Sequence, residues 1–336
     1  MCVHTVRWMG GLMQVCRIAL GLSLAVLLCF MSLAQAQPWP SKPIRFIVPQ
    51  TPSGQVDTVA RTVAQHLGER LGQPLIVENR AGANGVIGTD TVAKAPPDGL
   101  VLLLSAQSAM VFNAVLKKSL PYDPIADFSS VTMVFETPYY LVVHASVPAK
   151  SVQELLALVR SQPGKLNYAT VGTGSGQHLY MEVFKNMTKV DMVHVPYKGS
   201  AQAGTDLLTG QVQVMLQGSG FTLPQVKPGK IRVLASTGPQ RMQGLPDVPT
   251  VMEAGVPGYT ASTWYGLVGP AHLPRAIIDR LNREVGDILR QLAVREKFNA
   301  MDLLLTPGTP DALAERVRSE IPLFARVVRD AGIEPE

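Results

Sequence analysis

Cysteine is nearly absent from this chain of 336 residues. Its three copies, Cys2, Cys16 and Cys29, all lie within the first 36 residues. If that segment is removed, the remaining chain has none, which excludes disulfides, a thiolate nucleophile and a cysteine-bound metal.

Charge is also scarce in residues 1–36, which are typical of a secretory signal peptide. Two arginines precede an apolar run over 18–34, and Ala34-Gln35-Ala36 has the small-x-small pattern of a cleavage site. We expect a mature chain that begins near Gln37 in the periplasm. A retained membrane anchor is the alternative, because the run is about long enough to span a bilayer, and Met13 is an alternative start.

The mature chain also has no large excess of positive or negative charge. Without the two leader arginines, the 30 basic residues become 28 against 25 acidic ones, a net charge of +3. The basic residues are scattered, and Lys117-Lys118 is their only adjacent pair. A nucleic-acid partner is therefore not expected.

Short apolar runs alternate with helix-like segments, which predicts an α/β fold with largely parallel sheets. Strands are predicted at 44–48, 75–78, 100–105, 141–144, 166–171, 192–197, 212–216 and 231–236. Helices are predicted from the capping box of Ser151 with Glu154, from Pro274, and from Thr309-Pro310. A kink or break is expected at Pro322 in the last of these helices.

Strand, glycine-rich loop and helix follow one another near residue 50 and again near residue 172, which suggests two similar halves. Soft linkers at 136–140 and 253–266 would let the chain cross between the halves twice. We predict one lobe from 37–137 plus 258–336 and a second from 138–257, with hinges near 134–142 and 253–266. A cleft between them would be lined by loops at the strands' carboxyl ends.

Common catalytic and nucleotide motifs are lacking. The loop at 50–57 has no lysine for a phosphate-binding P-loop, and the glycines of 82–88 and 172–178 have the wrong spacing for a dinucleotide site. Ser175 lacks the first glycine of a nucleophile elbow. His178 and Glu182 could share one helix face as metal ligands, but no third ligand follows at the usual spacing.

The loops are suited to binding a carboxylate. The first amides of a helix have no intrahelical partner, the helix dipole adds positive charge, and small residues allow an oxygen to approach. Ser53-Gly54-Gln55 and Gly174-Ser175-Gly176 supply two such helix starts, and Ser105 to Ser108 form a third candidate loop. For any one loop, an ordinary strand-to-helix turn is the alternative.

Several segments resemble the Bug family, the extracytoplasmic solute-binding proteins associated with tripartite tricarboxylate transporters. They are "PSKPIRFIVPQTPSGQVDTVAR", "VENRAGANGVIGTDTVAKAPPDG", "LPYDPIADF", "PGKLNYATVGTGSGQHL", "MVHVPYKGSAQAGTDLLTGQVQVM" and "LPDVPTVMEAGVPGY". The resemblance implies a two-lobed type II periplasmic-binding-protein fold that closes on a small carboxylate. It implies no catalysis and no cofactor, and delivery of the solute by a monomer to a membrane permease or sensor.

The resemblance also assigns ligand-binding residues, which extend the loops named above. They are Gln50, Thr51, Ser53, Gly54, Gln55, Asp57, Ser105, Ala106, Gln107, Ser108, Gly172, Thr173, Gly174, Ser175, Gly176, Gln177, His178, Tyr197, Asp206 and Gln217.

The chain departs from the family pattern where ligand identity is decided. Gln50 stands at an aromatic position, Thr51 at a proline, Ser53 at a glycine and Gln217 where aspartate is frequent. Since aspartate would suit a ligand ammonium group, Gln217 favours an acid without one. A small aliphatic di- or hydroxy-acid is expected first and an aromatic acid second. An acidic amino acid, an exported enzyme on the same scaffold and a protein-interaction lobe pair are the alternatives.

Overall fold

A computed structural model describes residues 39–335 of the chain, so the predicted signal peptide at 1–36 lies outside the described residues. The chain divides into two compact units, Met1–Ser41 and Lys42–Glu336. Everything below concerns the second unit. Within the described range, no helix combines the length and the apolar character needed to cross a membrane.

Eleven strands and ten helices alternate along the described chain. The strands are β1 (Ile44–Val48), β2 (Leu75–Asn79), β3 (Val101–Ala106), β4 (Phe128–Pro138), β5 (Tyr140–His144), β6 (Asn167–Thr170), β7 (Val193–Pro196), β8 (Val214–Gln217), β9 (Ile231–Ser236), β10 (Ser262–Pro270) and β11 (Leu304–Leu305). The helices are α1 (Gln55–Leu71), α2 (Val86–Ala93), α3 (Asn113–Leu116), α4 (Val152–Ser161), α5 (Gly176–Thr188), α6 (Ser200–Thr209), α7 (Ser219–Val226), α8 (Arg275–Arg290), α9 (Leu292–Asn299) and α10 (Pro310–Asp330). Short helical turns at Ala83–Gly85 and Ser108–Phe112 precede α2 and α3.

The strands form two sheets. The six-stranded sheet has the order β11-β4-β10-β3-β1-β2, in which β1 pairs in parallel with β2 and β3, and β10 runs antiparallel to its neighbours β3 and β4. The five-stranded sheet has the order β7-β6-β8-β5-β9, in which β6 pairs in parallel with β7 and β8. The predicted α/β class with parallel strands is therefore confirmed, and each sheet also has antiparallel members.

The two sheets take their strands from different stretches of the chain. The six-stranded sheet uses residues from 44–138 and 262–305, and the five-stranded sheet uses 140–236. The predicted linker at 136–140 is almost entirely strand, since β4 ends at Pro138 and β5 begins at Tyr140. The exact lobe boundaries and hinge positions stay a prediction.

Local sequence signals located half of the ten described helix starts. The Ser151 side chain accepts a hydrogen bond from the Glu154 amide at the start of α4, and Thr309 caps α10 in the same way. A break at Pro322 is wrong, because α10 continues through it to Asp330, and a kink there stays a prediction. Proline costs a helix about 3 kcal/mol, and the buried apolar face of α10 offsets that loss by packing. This face comprises Leu313, Val317, Phe324, Val327 and Val328.

A buried polar network fastens α10 to the six-stranded sheet. Arg316 of α10 forms ion pairs with Glu136 of β4 and, at 2.9 Å, with Glu320. Glu320 Oε2 also accepts from Trp264 Nε1 at 2.7 Å. Trp264 is fully buried and Glu136 is 9% exposed, so both carboxylates depend on Arg316 for charge compensation.

Arg316→Met should lower the free energy of unfolding by about 3 kcal/mol, because it leaves two carboxylates facing each other with their counter-charge removed. Urea denaturation measures this value. The control is Arg318→Met, which removes an exposed pair with Glu315 and should change it by less than about 0.5 kcal/mol. Similar values for the two variants would contradict the role of the network.

Candidate functional site

The sheet order places the candidate loops at two equivalent points. β1 lies between β2 and β3 in the six-stranded sheet, and β6 lies between β7 and β8 in the five-stranded sheet. Loops that leave neighbouring parallel strands in opposite directions open a crevice at the strands' carboxyl ends. The loops after β1 and β3, and those after β6 and β8, occupy these two crevices.

The loop between β1 and α1 is held by Asp57, which is 4% exposed. Asp57 Oδ2 accepts from the Ser53 amide at 3.0 Å and from Arg61 Nε at 2.9 Å. The Arg61 guanidinium lowers the pKa of Asp57 to about 2. Asp57 is thus an anion whose oxygens are used by the protein, and it positions the loop.

Asn79, at the end of β2, was not predicted as part of the site. Its Nδ2 donates to Asp57 Oδ1 at 2.9 Å and to the Gln50 carbonyl at 3.2 Å, and its Oδ1 accepts from Arg61. It therefore ties the first loop to the neighbouring strand. The position of Asn79 at a strand end was visible in the sequence, but the long-range contact was not.

Three helices, which follow the parallel strands β1, β7 and β8, begin after a glycine that neither strain nor packing requires. Gly54, Gly199 and Gly218 are the N-caps of α1, α6 and α7, without a side-chain capping bond. Their backbones are extended, and an added Cβ would meet no protein atom within 4 Å at any of them. Neither backbone strain nor crowding requires glycine there, so the open space in front of the helix amides is the feature that glycine preserves.

The first loop and the loop after β8 meet at one carbonyl. Met301 O accepts from Gln55 Nε2 at 3.1 Å and from Ser219 Oγ at 3.4 Å. Gln217 lies two residues before Ser219 and is 3% exposed, and its Nε2 donates to Met215 Sδ at 3.2 Å. The loop after β1 of the six-stranded sheet and the loop after β8 of the five-stranded sheet therefore meet at Met301.

The loop between β6 and α5 lines a cavity of about 280 Å³. Gly172, Thr173, Gly174 and Ser175 form one wall. The opposite side was not predicted, and it consists of Asn84, Asn113, Leu116, Lys117, Ile333 and Glu334. Loop and wall are in close contact, since a Cβ on Gly174 would lie 2.7 Å from Leu116 Cδ1.

Asn84 and Asn113 form a pair of amides at this cavity. Asn84 Nδ2 donates to Asn113 Oδ1 at 3.0 Å, and Asn113 Nδ2 donates to the Asn84 carbonyl at 3.1 Å. Asn84 has a φ of 53°, in the left-handed region that asparagine tolerates better than most residues. The sequence did contain a signal for this turn, the pair Asn84-Gly85. It lies in the glycine-rich segment 82–88, which we tested only as a nucleotide-binding loop.

The candidates that follow β3 are mostly used inside the protein. Gln107 is fully buried, and its Nε2 donates to Tyr180 Oη at 2.9 Å and to Glu320 Oε2 at 2.8 Å, which joins it to the Arg316 network. Ala106 is buried and Ser108 is half-buried. Ser105 is fully buried, and within the described residues its Oγ has no hydrogen-bond partner.

The remaining candidates lie on the five-stranded sheet. Tyr197 Oη donates to Asp206 Oδ2 at 2.7 Å, so these two satisfy each other, and burial raises the pKa of Tyr197 to about 12. Gly176 and Gln177 are half-buried in the first turn of α5, and a Cβ on Gly176 would lie 3.1 Å from Tyr139 Oη. His178 is buried beneath the loop, where its Nδ1 accepts from the Gly174 amide at 3.1 Å. Among residues 39–335, no group of three His, Cys, Asp or Glu side chains has the geometry to hold a metal ion.

Asp57→Asn should lower the free energy of unfolding by about 1–2 kcal/mol at pH 7, because the charge paired with Arg61 is lost. The folded pKa of about 2 lies below the ordinary 3.8. The contribution is therefore complete above pH 3.8 and disappears as the pH falls toward 2, so the two proteins should converge in acid.

Urea denaturation at a series of pH values measures this difference. Asp279→Asn is the matched control, because it removes an exposed i,i+4 pair with Arg275. Its effect should stay below about 0.5 kcal/mol. A difference for Asp57→Asn that grows in acid would show that the carboxylate is not the group responsible.

Comparison with known proteins identifies the relatives of this chain. A family model described as tripartite tricarboxylate transporter family receptor matches residues 59–330. BugT of Bordetella pertussis is 38% identical over 298 residues, which are 88% of this chain and 91% of BugT.

Two solved structures extend the comparison. Rpa4515 of R. palustris with adipate is 34% identical with a TM-score of 0.74, and the match covers 89% of this chain and 100% of that one. MatC from Rhodopseudomonas palustris with bound malate is 32% identical with a TM-score of 0.69, covering 86% and 100%.

These matches confirm the predicted resemblance to Bug proteins and the predicted type II periplasmic-binding-protein fold. The family model spans most of the described chain, and BugT is similar over nearly its whole length. The chain belongs to the tripartite tricarboxylate transporter family of receptors, which are solute-binding proteins.

Proposed function

We propose that this protein captures a small carboxylate between its two groups of loops and presents it for uptake or sensing. The observation that carries the proposal is the open space at Gly54, in front of the first amides of α1. A carboxylate oxygen fits such a position, because the amides lack intrahelical partners and the helix dipole is positive there. Gly218, at the start of α7, offers a second position of the same kind.

Relatives support a carboxylate as the ligand class. The solved structures of Rpa4515 and MatC are described with adipate and with malate, and both compounds are dicarboxylates. A dicarboxylate needs two separate sets of donors. The loops after β1 and β8 and the loop after β6 supply such sets from both sheets.

The polar groups near β1 favour a ligand with a hydroxyl group over an ammonium group. Ser105 Oγ and Gln50 Oε1 are both buried without a hydrogen-bond partner in the described structure. A ligand hydroxyl can donate to Gln50 Oε1 or accept from Ser105 Oγ, whereas an ammonium group has no acceptor capacity.

A ligand ammonium group would need a free carboxylate. Among the candidate residues, Asp57 is used by Arg61, Asn79 and Ser53, and Asp206 is used by Tyr197. Gln217 contributes no charge. We therefore propose a small aliphatic di- or hydroxy-acid first. An aromatic acid remains the second choice, and an acidic amino acid is the alternative, since Glu334 lines the cavity beside the Gly172–Ser175 loop and is exposed.

The proposal includes the compartment and the partner. We infer an exported, periplasmic monomer that delivers its ligand to a tripartite tricarboxylate permease or to a membrane sensor, without catalysis and without a cofactor. The description of the matching family as a transporter receptor supports this inference.

Calorimetric titration of unfolded, ligand-stripped and refolded protein tests the ligand class. Malate and succinate should bind at least tenfold more tightly than aspartate, which is about 1.4 kcal/mol. Citrate, glutamate and benzoate complete the panel. If aspartate or glutamate binds most tightly, the interpretation of Gln217 is wrong, and if no acid binds, the proposed function is wrong.

Gly54→Val should weaken binding of the tightest acid about tenfold or more, because its side chain would fill the space in front of α1. Folding should be unaffected, since the added Cβ meets no protein atom within 4 Å and the φ of −84° suits any residue. Gly54→Ala and Gly308→Ala each add one methyl group. Gly308→Ala is the control and should bind the acid with wild-type affinity. Unchanged affinity in a folded Gly54→Val protein would show that the loop is only a turn.

A further inference from the structure

Two histidines are stacked beneath the loop between β6 and α5. The rings of His178, on α5, and His194, on β7, have centroids 3.8 Å apart and planes inclined by 11°. Tyr168 of β6 continues the stack at 5.0 Å from His194. Two imidazolium rings at this distance would repel each other strongly, so the stack requires at least one ring to be neutral.

His178 contacts one end of the segment Gly172–Gly174 directly, and His194 is linked to the other end through Thr170. His178 Nδ1 accepts a hydrogen bond from the Gly174 amide at 3.1 Å. His194 Nε2 lies 2.7 Å from Thr170 Oγ1, and that hydroxyl contacts the Gly172 carbonyl at 3.1 Å and the Gly172 amide at 3.3 Å. The two rings therefore hold both ends of the tripeptide that lines the cavity.

The bond from Gly174 fixes the protonation state of His178. An amide N–H can donate only to an unprotonated nitrogen, so the proton of neutral His178 must be on Nε2. A second proton on Nδ1 would point at the Gly174 amide and break the bond. Loss of that bond frees the loop.

One negative and one positive side chain, Glu182 and Lys185, lie next to the histidine stack. Glu182 Oε1 lies 4.0 Å from His178 Nε2, accepts from Lys185 Nζ at 2.8 Å and also accepts from Tyr168 Oη. Glu182 favours a charged histidine and Lys185 opposes it. Burial lowers the pKa of His178 below its ordinary value and lowers that of His194 to about 4.

We propose that His178 and His194 are positioning residues, which hold the Gly172–Gly174 loop in its ligand-binding form while neutral and release it when one of them is protonated. The proposal rests on the proposed function, since it assigns a regulation to the same site. It makes solute capture dependent on pH through two side chains that need not touch the ligand.

The direction of the pH effect follows from the neutral state. Burial disfavours the charged form of both rings, so the pKa of His178 lies below the ordinary 6.5 and that of His194 is about 4. Affinity should be unchanged at neutral pH and should fall as the pH decreases toward 4. Ligand carboxylates also titrate in this range, so the effect is measured as a ratio between two proteins with the same ligand.

Two variants of His178 separate its hydrogen bond from its charge. His178→Asn places an uncharged acceptor, Oδ1, near the position of Nδ1, and His178→Phe keeps a stacked ring without an acceptor. At pH 7, malate affinity by calorimetry should stay within about threefold of wild type for the Asn variant and fall about tenfold or more for the Phe variant. Between neutral pH and pH 4, the ratio of wild-type affinity to that of the double variant His178→Asn/His194→Asn should fall several-fold.

Melting temperatures at each pH establish that the compared proteins are folded. Wild-type affinity in His178→Phe, or a constant ratio between wild type and the double variant His178→Asn/His194→Asn down to pH 4, would overturn the proposal.

Nuclear magnetic resonance of the ligand-free protein tests the positioning role independently of any ligand. Nitrogen-15 spectra should show Nδ1 of His178 unprotonated at pH 7, and the Gly174 amide should shift as His178 gains a proton. A protonated Nδ1 at pH 7, or a Gly174 amide that does not respond, would also overturn the proposal. If malate does not bind to wild type while these spectra are as expected, the choice of ligand fails and the positioning role stands.

Discussion

Parallel pairing on both sides of one strand is the constraint on which the rest of this structure depends. β1 has such neighbours in the six-stranded sheet, and β6 has them in the five-stranded sheet. This pairing brings loops that are far apart in sequence to the same sheet edge. Without it, Gly54 and the Gly172–Gly174 segment would be ordinary turns.

The side chains of these loops mainly hold the loops themselves. Asp57, Asn79, Gln107 and His178 each use their polar atoms on backbone or on other side chains, and most of them are buried. The groups left open are backbone amides and the space in front of them. A site built in this way selects a ligand by its shape and by the spacing of its oxygens more than by paired charges, since amides are alike in every loop.

The sequence predicted much of this arrangement, because local signals coincide with the fold. Capping residues located α4 and α10, and apolar runs located most strands. β4, β10 and β11 were missed. Polar residues interrupt "FSSVTMVFETP" in β4, and the first part of β10, "STWYG", was assigned to a linker. Long-range contacts were also missed: Asn84, Asn113 and Lys117 line the cavity through tertiary packing, which no local pattern records. Ser53 has a left-handed φ of 70° at a position where the family resemblance predicts glycine, and the sequence shows that departure but not its geometry.

The indole of Trp264 gives this protein an optical property that follows from its surroundings. Its Nε1 donates a hydrogen bond to the Glu320 carboxylate, and the Arg316 guanidinium lies 5.9 Å from the ring centroid. Both charges belong to the network that contains Gln107 and Tyr180. The excited state of indole is sensitive to nearby charge, so a small displacement of this network changes the colour and yield of its emission. The chain has three tryptophans, and Trp8 lies in the predicted leader. Trp39 and Trp264 are therefore the tryptophans outside that leader, and the emission of Trp264 reports on the charges of the Arg316 network.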